Sequence, residues 1–277
     1  MQNLRHLGSK LNHSALIKRI IEKPRSLLFK SSFLITSKTA PKMLTSISSI
    51  ISAKQKDRVF LVGSGPSLWG FNFDILADED TICVNSSVFD VPQPNFFITK
   101  DYSFLLKYLI PCLQAKSNAV KIWNSAMKIF VACYAEGNLQ DIDNEIVDVS
   151  HGIRYDLCPV NWVIKNHEQW GIGLSLADFR CGVDSGYGAL QLAILLGYKN
   201  IYFLGYDMCV QGETHYHSRY KKRKSEEFQK KLDGYANLYI QAFQEIKNMN
   251  QVKLYSCSST SKFNSYIEYL PVEEVLK

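Results

Sequence analysis

No apolar run in the 277 residues approaches the roughly 18 that a bilayer-spanning helix needs, so the sequence predicts no transmembrane segment. The opening Met1-Gln2-Asn3-Leu4-Arg5-His6 lacks the apolar core of a secretory leader, and the expectation is a cytoplasmic protein. The seven cysteines, Cys83, Cys112, Cys133, Cys158, Cys181, Cys209 and Cys257, are odd in number, scattered and without a C-x-x-C pair. That spacing argues against a disulfide frame or a zinc ribbon and fits reduced thiols in a core. Internal repeats and low-complexity tracts are missing too, which excludes a solenoid. Acids are nearly absent from residues 1–56, where eleven lysines and arginines stand against Glu22 alone, whereas the remainder carries 21 basic residues against 25 acidic.

A cationic stretch confined to one end is interleaved here with Leu16, Ile17, Ile20, Ile21, Leu27, Leu28 and Phe33. This mixture suits a segment lying peripherally on an anionic membrane surface, and equally a basic leader or a helix packed on the body, because Pro24 and Pro41 interrupt the apolar pattern. Nucleic acid is not an expected partner, since the rest of the chain is acidic and carries no binding motif.

From Asp57 the texture changes to short β-branched and apolar runs alternating with helical stretches. Such alternation predicts an α/β fold, a Rossmann-like, doubly wound, mostly parallel sheet with helices on both faces, over residues 57–277, behind a basic N-terminal extension over residues 1–56. The expected strands are Val59 to Val62, Thr81 to Val84, Asn95 to Thr99, Lys128 to Cys133, Asn200 to Leu204 and Lys253 to Cys257. Ser185 to Leu196 is small and apolar nearly all round and predicts a buried crossover helix ended by Gly197. Ser225 with Glu226 and Glu227 marks another helix start, after which Phe228, Leu232, Tyr235, Tyr239, Phe243 and Ile246 recur at helical spacing. Residues 137–183 show no period and are expected to form an irregular lid or insertion.

The densest chemical signal follows the first strand of this region, in Gly63-Ser64-Gly65-Pro66-Ser67. Two glycines allow a tight turn and a close ligand approach, Pro66 suits a first helical position, and free amides there can hold phosphate oxygens. A nicotinamide dinucleotide is disfavoured: the third glycine of that fingerprint falls at Leu68, and the second strand ends in Asn85 where a carboxylate is needed.

Taken in order, Gly63-Ser64-Gly65-Pro66-Ser67-Leu68, Val84-Asn85-Ser86, Asp184-Ser185-Gly186, Leu195-Leu196-Gly197-Tyr198, Gly205-Tyr206-Asp207 and Thr214-His215-Tyr216-His217 resemble the motifs of bacterial lipooligosaccharide sialyltransferases. They are also similar to the broader MptE-like group, which joins flagellin-glycosylation (motility accessory) proteins to a pterin pyrophosphokinase. The resemblance spans roughly residues 58–277. It implies a glycosyltransferase that takes a nucleotide-activated sugar, CMP-linked by preference, to a cell-surface glycan or lipid-linked acceptor. On that basis Gly63, Ser64, Gly65, Pro66, Ser67, Asn85, Asp101, Ser185, Gly186 and Asp207 are the nucleotide-binding candidates. His217, or its neighbour His215, is the candidate base, and an imidazole titrating near pH 6.5 can take a sugar hydroxyl proton at neutral pH.

The sequence also departs from that family. Asp101 stands where it has an asparagine, Gly182 where it has an arginine with Arg180 displaced by two, and Cys209 where it has a tyrosine. An alternative therefore stays open, in which Asp101, Asp184 and Asp207 hold a magnesium ion across a diphosphate, as in an ATP-dependent pyrophosphokinase acting on a small heterocycle or a transferase using a UDP- or GDP-sugar. A nucleotide-binding module without catalysis is the third reading. Lys221-Lys222-Arg223-Lys224 is either a phosphate lid or a solvated approach to the helix at Ser225.

Overall fold

The structure, a computed structural model, describes residues 46–100, 171–182, 184–212, 215–216 and 225–277, and the backbone of the strands Lys42–Met43, Ile129–Ala135 and Val160–Lys165. His217, Asp101, the Lys221–Lys224 run and residues 1–41 lie outside it.

Nine strands among the described residues form one sheet: β1 (Lys42–Met43), β2 (Arg58–Val62), β3 (Thr81–Val84), β4 (Phe96–Thr99), β5 (Ile129–Ala135), β6 (Val160–Lys165), β7 (Asn200–Leu204), β8 (Lys253–Ser256) and β9 (Glu268–Tyr269). Their order is β1-β6-β5-β4-β3-β2-β7-β8-β9, and every pairing is parallel. After the short edge strand β1, the chain enters the middle of the sheet at β2, runs outward through β3, β4 and β5 to β6, then returns to β7 on the other side of β2. This is the expected doubly wound α/β architecture, and its direction reverses between β2 and β7.

The central strands are apolar on both faces because both are covered. Val59, Leu61, Ile82, Val84, Phe96, Ile98, Ile201 and Phe203 point into one core. Their alternates Phe60, Val62, Cys83, Phe97, Tyr202 and Leu204 point into the other. Helix α1 (Ser185–Leu195) packs across β2, β3 and β4 on the first face. Asp184 caps it by accepting the Tyr187 amide at 2.7 Å, and Gly197, at φ +69°, ends it. Helix α2 (Ser225–Met249) lays Tyr239, Phe243 and Ile246 on the same face, where Phe203, Phe263 and Tyr206 meet them edge-on or tilted. The second face is covered by short 3-10 turns carrying Leu68, Leu76 and Val88, and by the four-residue α3 (Val272–Val275).

Two features lie elsewhere than the sequence pattern places them. The compact unit begins at Pro41, so residues 46–56 pack with the body and not with a separate extension. Ile50 and Ala53 are buried in the first core, and Asp80 accepts the amides of Gln55 and Lys56 at 2.7 and 2.9 Å. Within the stretch expected to be irregular, β6 takes its place between β5 and β1.

Glu79 is a second clamp on this segment, receiving Lys56 at 2.7 Å and both Nε and Nη2 of Arg58 at 2.7 and 2.6 Å. Burial alone would push its carboxyl up, but the hydrogen bonds and charges of Arg58 and Lys56 hold it below the ordinary value. A depressed folded-state value contributes stability that is complete above the unfolded carboxylate's titration, near pH 4.3, and is lost as the pH falls through the folded value. Below about pH 4.5, urea midpoints should therefore fall with acid less steeply in Glu79→Gln than in the parent chain. Parallel curves would remove Glu79 from the acid response.

Candidate active site

The carboxyl ends of β4, β3, β2 and β7 lie side by side, and the candidate residues sit on the loops that leave them. The loop after β2 is tied to the loop after β7 by its own backbone. Gly63 donates to the Leu204 carbonyl and Gly65 to the Gly205 carbonyl, both at 2.8 Å, and the Ser67 amide donates to Asp207 Oδ2 at 2.8 Å. Glycine is required here for packing. A Cβ on Gly65 would lie 2.3 Å from Asp207 Oδ2, and one on Gly63 2.6 Å from the Gly205 carbonyl.

These bonds correct the expectation of a row of free amides at a helix start. Pro66 to Leu68 forms one 3-10 turn, the Gly63, Gly65 and Ser67 amides are already spent on protein acceptors, and Pro66 has none. Among the polar residues of this turn, Ser64 is half-exposed and Ser67 exposed. Asp207 is likewise committed. It is 1% exposed and joins Ser67 through Oδ2 to the Ser258 hydroxyl through Oδ1, clasping three loops together.

Asn85, immediately after β3, is half-buried and holds φ at +51°, a left-handed conformation that asparagine tolerates better than most residues. Its Oδ1 accepts the Thr99 hydroxyl at 2.7 Å, which orients the side chain and leaves its amide nitrogen as donor. One residue on, the Lys100 amide donates to Ser185 Oγ at 3.0 Å, so the ends of β3 and β4 and the first turn of α1 are joined by consecutive hydrogen bonds. Ser87 extends this chain to β2 by donating to the Val62 carbonyl at 2.7 Å.

Ser185 is 4% exposed, and Gly186 lies beneath two tyrosines, since a Cβ there would meet Tyr206 Cε1 and the Tyr239 hydroxyl at 2.7 Å each. Asp184 receives the Tyr239 hydroxyl at 2.8 Å as well as the Tyr187 amide. Burial pushes its carboxyl above the ordinary value against those bonds and the nearby charge of Lys100. Lys100 itself, whose Nζ reaches the Gly182 carbonyl at 3.3 Å, is a cation at the strand ends that sequence reasoning passed over. A lone lysine after Thr99 carries no motif, and only the position of β4 in the sheet marks it.

The histidine loop comes back over the first loop. The Tyr216 amide donates to the Ser64 carbonyl at 3.2 Å, and the Tyr216 hydroxyl donates to Asp90. His215 is half-buried, its ring 5.9 Å from that of Phe228. The two departures from the family pattern inside the described residues are engaged elsewhere: Arg180 pairs with Asp178 at 2.8 Å, and Cys209 Sγ lies 3.5 Å from the Thr260 carbonyl.

A magnesium site fits this donor set poorly. Both oxygens of Asp207 hold protein donors in the interior, Oδ1 of Asp184 holds two more, and no cluster of three His, Cys, Asp or Glu converges among the described residues.

The fold and site thus define a doubly wound parallel-sheet protein with polar side chains gathered at the carboxyl edge beside the switch point. No family model and no curated protein matches the chain. Solved structures similar to it include the sialyltransferase CST-II in complex with a trisaccharide acceptor and CMP, at 16% identity and a TM-score of 0.47 over 78% of this chain and 87% of that one. CstII from Campylobacter jejuni in complex with CMP-3FNeuAc is similar at 18% identity and 0.45, with coverage of 78% and 87%. The monofunctional alpha-2,3-sialyltransferase Cst-I from Campylobacter jejuni is similar at 19% and 0.45, with coverage of 82% and 84%. The functional reading below rests on the residues and their geometry.

Proposed function

We propose that the protein is a glycosyltransferase that takes a nucleotide-activated sugar, with a CMP-linked donor favoured, and passes the sugar to a glycan or lipid-linked hydroxyl. The observation that carries this reading is the bond from the Tyr216 amide to the Ser64 carbonyl, which sets the residue between His215 and His217 in the sequence against the turn after β2. Ser64, Asn85 and the Ser185 region then lie on adjoining strand ends, and histidines flank the contact.

The chemistry asks little else of the protein. A histidine, His217 or His215, takes the acceptor's hydroxyl proton as the oxygen bonds to the anomeric carbon, and the bond from that carbon to the phosphate oxygen breaks as the nucleotide leaves. The Asn85 amide suits a carbonyl or hydroxyl acceptor of the nucleotide, and Lys100 offers positive charge where the leaving phosphate gathers its negative charge. Catalysis by a magnesium-held diphosphate is not favoured, because Asp207 and Asp184 serve as clasp and cap.

The test is thermal shift with CMP, UDP, GDP and ATP, each with and without magnesium, followed by hydrolysis of the corresponding sugar donor. A nucleotide that binds only the native state stabilises it by about 2.7 kcal/mol at a hundredfold excess over its Kd, and so raises the melting temperature. One of the pyrimidine nucleotides should give the largest shift without magnesium. Asn85→Gly keeps the left-handed backbone but removes the amide and the acceptor of the Thr99 hydroxyl, so it should melt somewhat below the parent, and measured against its own ligand-free melt it should lose most of that shift. No shift from any nucleotide would end the donor assignment; a shift only from ATP with magnesium would favour the pyrophosphokinase reading.

The basic segment at residues 1–56 supports a companion proposal, that the enzyme works at an anionic membrane face where lipid-linked acceptors reside. No described helix is long and apolar enough to cross a membrane. The full chain should sediment with phosphatidylserine vesicles at low salt and release at high salt, and Lys18→Gln combined with Arg19→Gln and Lys23→Gln should weaken that binding. Equal binding to neutral vesicles would refute it.

A further inference from the structure

We infer that Tyr216 and Asp90 form a positioning clasp that fixes the histidine loop over the turn after β2, and so ties placement of the base to the loop that presents Asn85. The inference rests on the glycosyltransferase reading for its catalytic consequence, but the clasp itself stands on geometry alone.

Tyr216 is held from three directions by three separate segments. Its amide donates to the Ser64 carbonyl at 3.2 Å, in the loop after β2. Its hydroxyl donates to Asp90, the residue that closes the 3-10 turn Asn85–Phe89 after β3. Its ring packs on Phe73 at 5.6 Å, in the 3-10 turn Phe73–Leu76, and Phe73 in turn meets Phe71 at 5.1 Å. A tyrosine placed only to fill space needs the ring contact. A loop merely passing over the site needs none of the three. Bonds at both ends of one residue, with a ring contact between them, fix the rotation of the chain at Tyr216 and hence the direction in which His215 leads into it.

The partner on the other side is what gives the clasp a functional meaning. Asn85 opens the Asn85–Phe89 turn and Asp90 closes it, and within it Ser87 is buried and bonded to the Val62 carbonyl and the Val84 amide. The turn is therefore a rigid link. One end orients an amide toward the donor site, and the other end holds the loop that carries the base. A carboxylate accepting from a phenol is also a stronger tie than a neutral pair.

Four variants separate this role from ordinary packing: Tyr216→Phe, Asp90→Ala, Asp90→Asn and the Tyr216→Phe/Asp90→Ala double. Exchange of the Tyr216 amide, read by deuterium uptake with fragment-level resolution, should speed up at least about tenfold in Tyr216→Phe and Asp90→Ala, with no further gain in the double variant. Asp90→Asn keeps an acceptor and should stay nearer the parent. Using the donor that the nucleotide screen selects, kcat should fall by about ten- to a hundredfold in the same two variants, with little change in the donor's KM and an unchanged nucleotide-induced thermal shift. Unaltered exchange at Tyr216 in Asp90→Ala would overturn the clasp, as would additive losses in the double variant. Faster exchange in a chain that binds no nucleotide would leave the clasp standing and defeat the transferase reading instead, so the two failures are distinct.

Discussion

Replacing Asp80 with alanine should lower the unfolding free energy by about 3–5 kcal/mol, a large share of the ~5–15 kcal/mol typical of a folded domain. Asp80 is 1% exposed, and its Oδ2 accepts the Gln55 amide at 2.7 Å, the Lys56 amide at 2.9 Å and the Tyr198 hydroxyl at 2.8 Å. Its Oδ1 takes Nδ2 of Asn95 at 3.2 Å, and Asn95 also accepts the Thr81 amide at 3.0 Å and donates to the Ala53 carbonyl at 3.0 Å. Alanine would strand the Tyr198 phenol and the Asn95 side-chain amide in the interior and remove the acceptor of two part-buried backbone amides, and each buried partner lost is worth about 1–3 kcal/mol. Asp80→Asn keeps the shape but turns donors toward donors, so an intermediate loss is expected. Urea unfolding should show the drop as a lower midpoint, and the exposed neighbour Asp78→Ala gives the baseline. If Asp80→Ala matched Asp78→Ala, the hub would have no energetic weight.

The second large effect is chemical. Alanine at the true base, His217 or His215, should cut sugar transfer by about 10²- to 10⁴-fold while leaving the nucleotide-induced thermal shift intact. The parent's kcat/KM should fall on the acid side, since a protonated imidazole cannot accept the hydroxyl proton, and that limb should vanish in the inactive variant. Between the two histidines, the one whose replacement abolishes the acid limb is the base. Full turnover in the double alanine variant would dismiss both.

Much of the sheet was legible because a strand buried on both faces must be largely apolar, and the β2, β3, β4 and β7 segments are, with polar residues only at their ends apart from Tyr202. The edge strands were not. β1 and β9 have two residues each and exist through pairing, while β6 mixes Asn161 and Lys165 into its run and so loses the period. The Pro41 boundary was hidden for a similar reason. Ile50 and Ala53 belong to a short run of apolar residues interrupted by serines, with no strand or long-helix period, and the bonds that bind this stretch go to Asp80, far along the chain. In the site, Asn85 after β3 and the histidine loop could be picked out by position and order. Gly63 and Gly65 announced a close approach without naming its partner, and that partner is Gly205 and Asp207. Lys100 and Asp90 carry no motif at all; each owes its place to a hydrogen bond that only the folded chain makes.

The winding of the sheet also sets a schedule for biosynthesis. Val62 pairs with Cys83 on one side and Leu204 on the other, so during translation β2 acquires its first neighbour early and its second only after Leu204 has left the ribosome. Until then a hydrophobic strand that ends at the centre of the finished protein is a bare sheet margin, with unpaired backbone groups open to any passing strand. Chaperone demand on this polypeptide is accordingly concentrated in the interval between those two events.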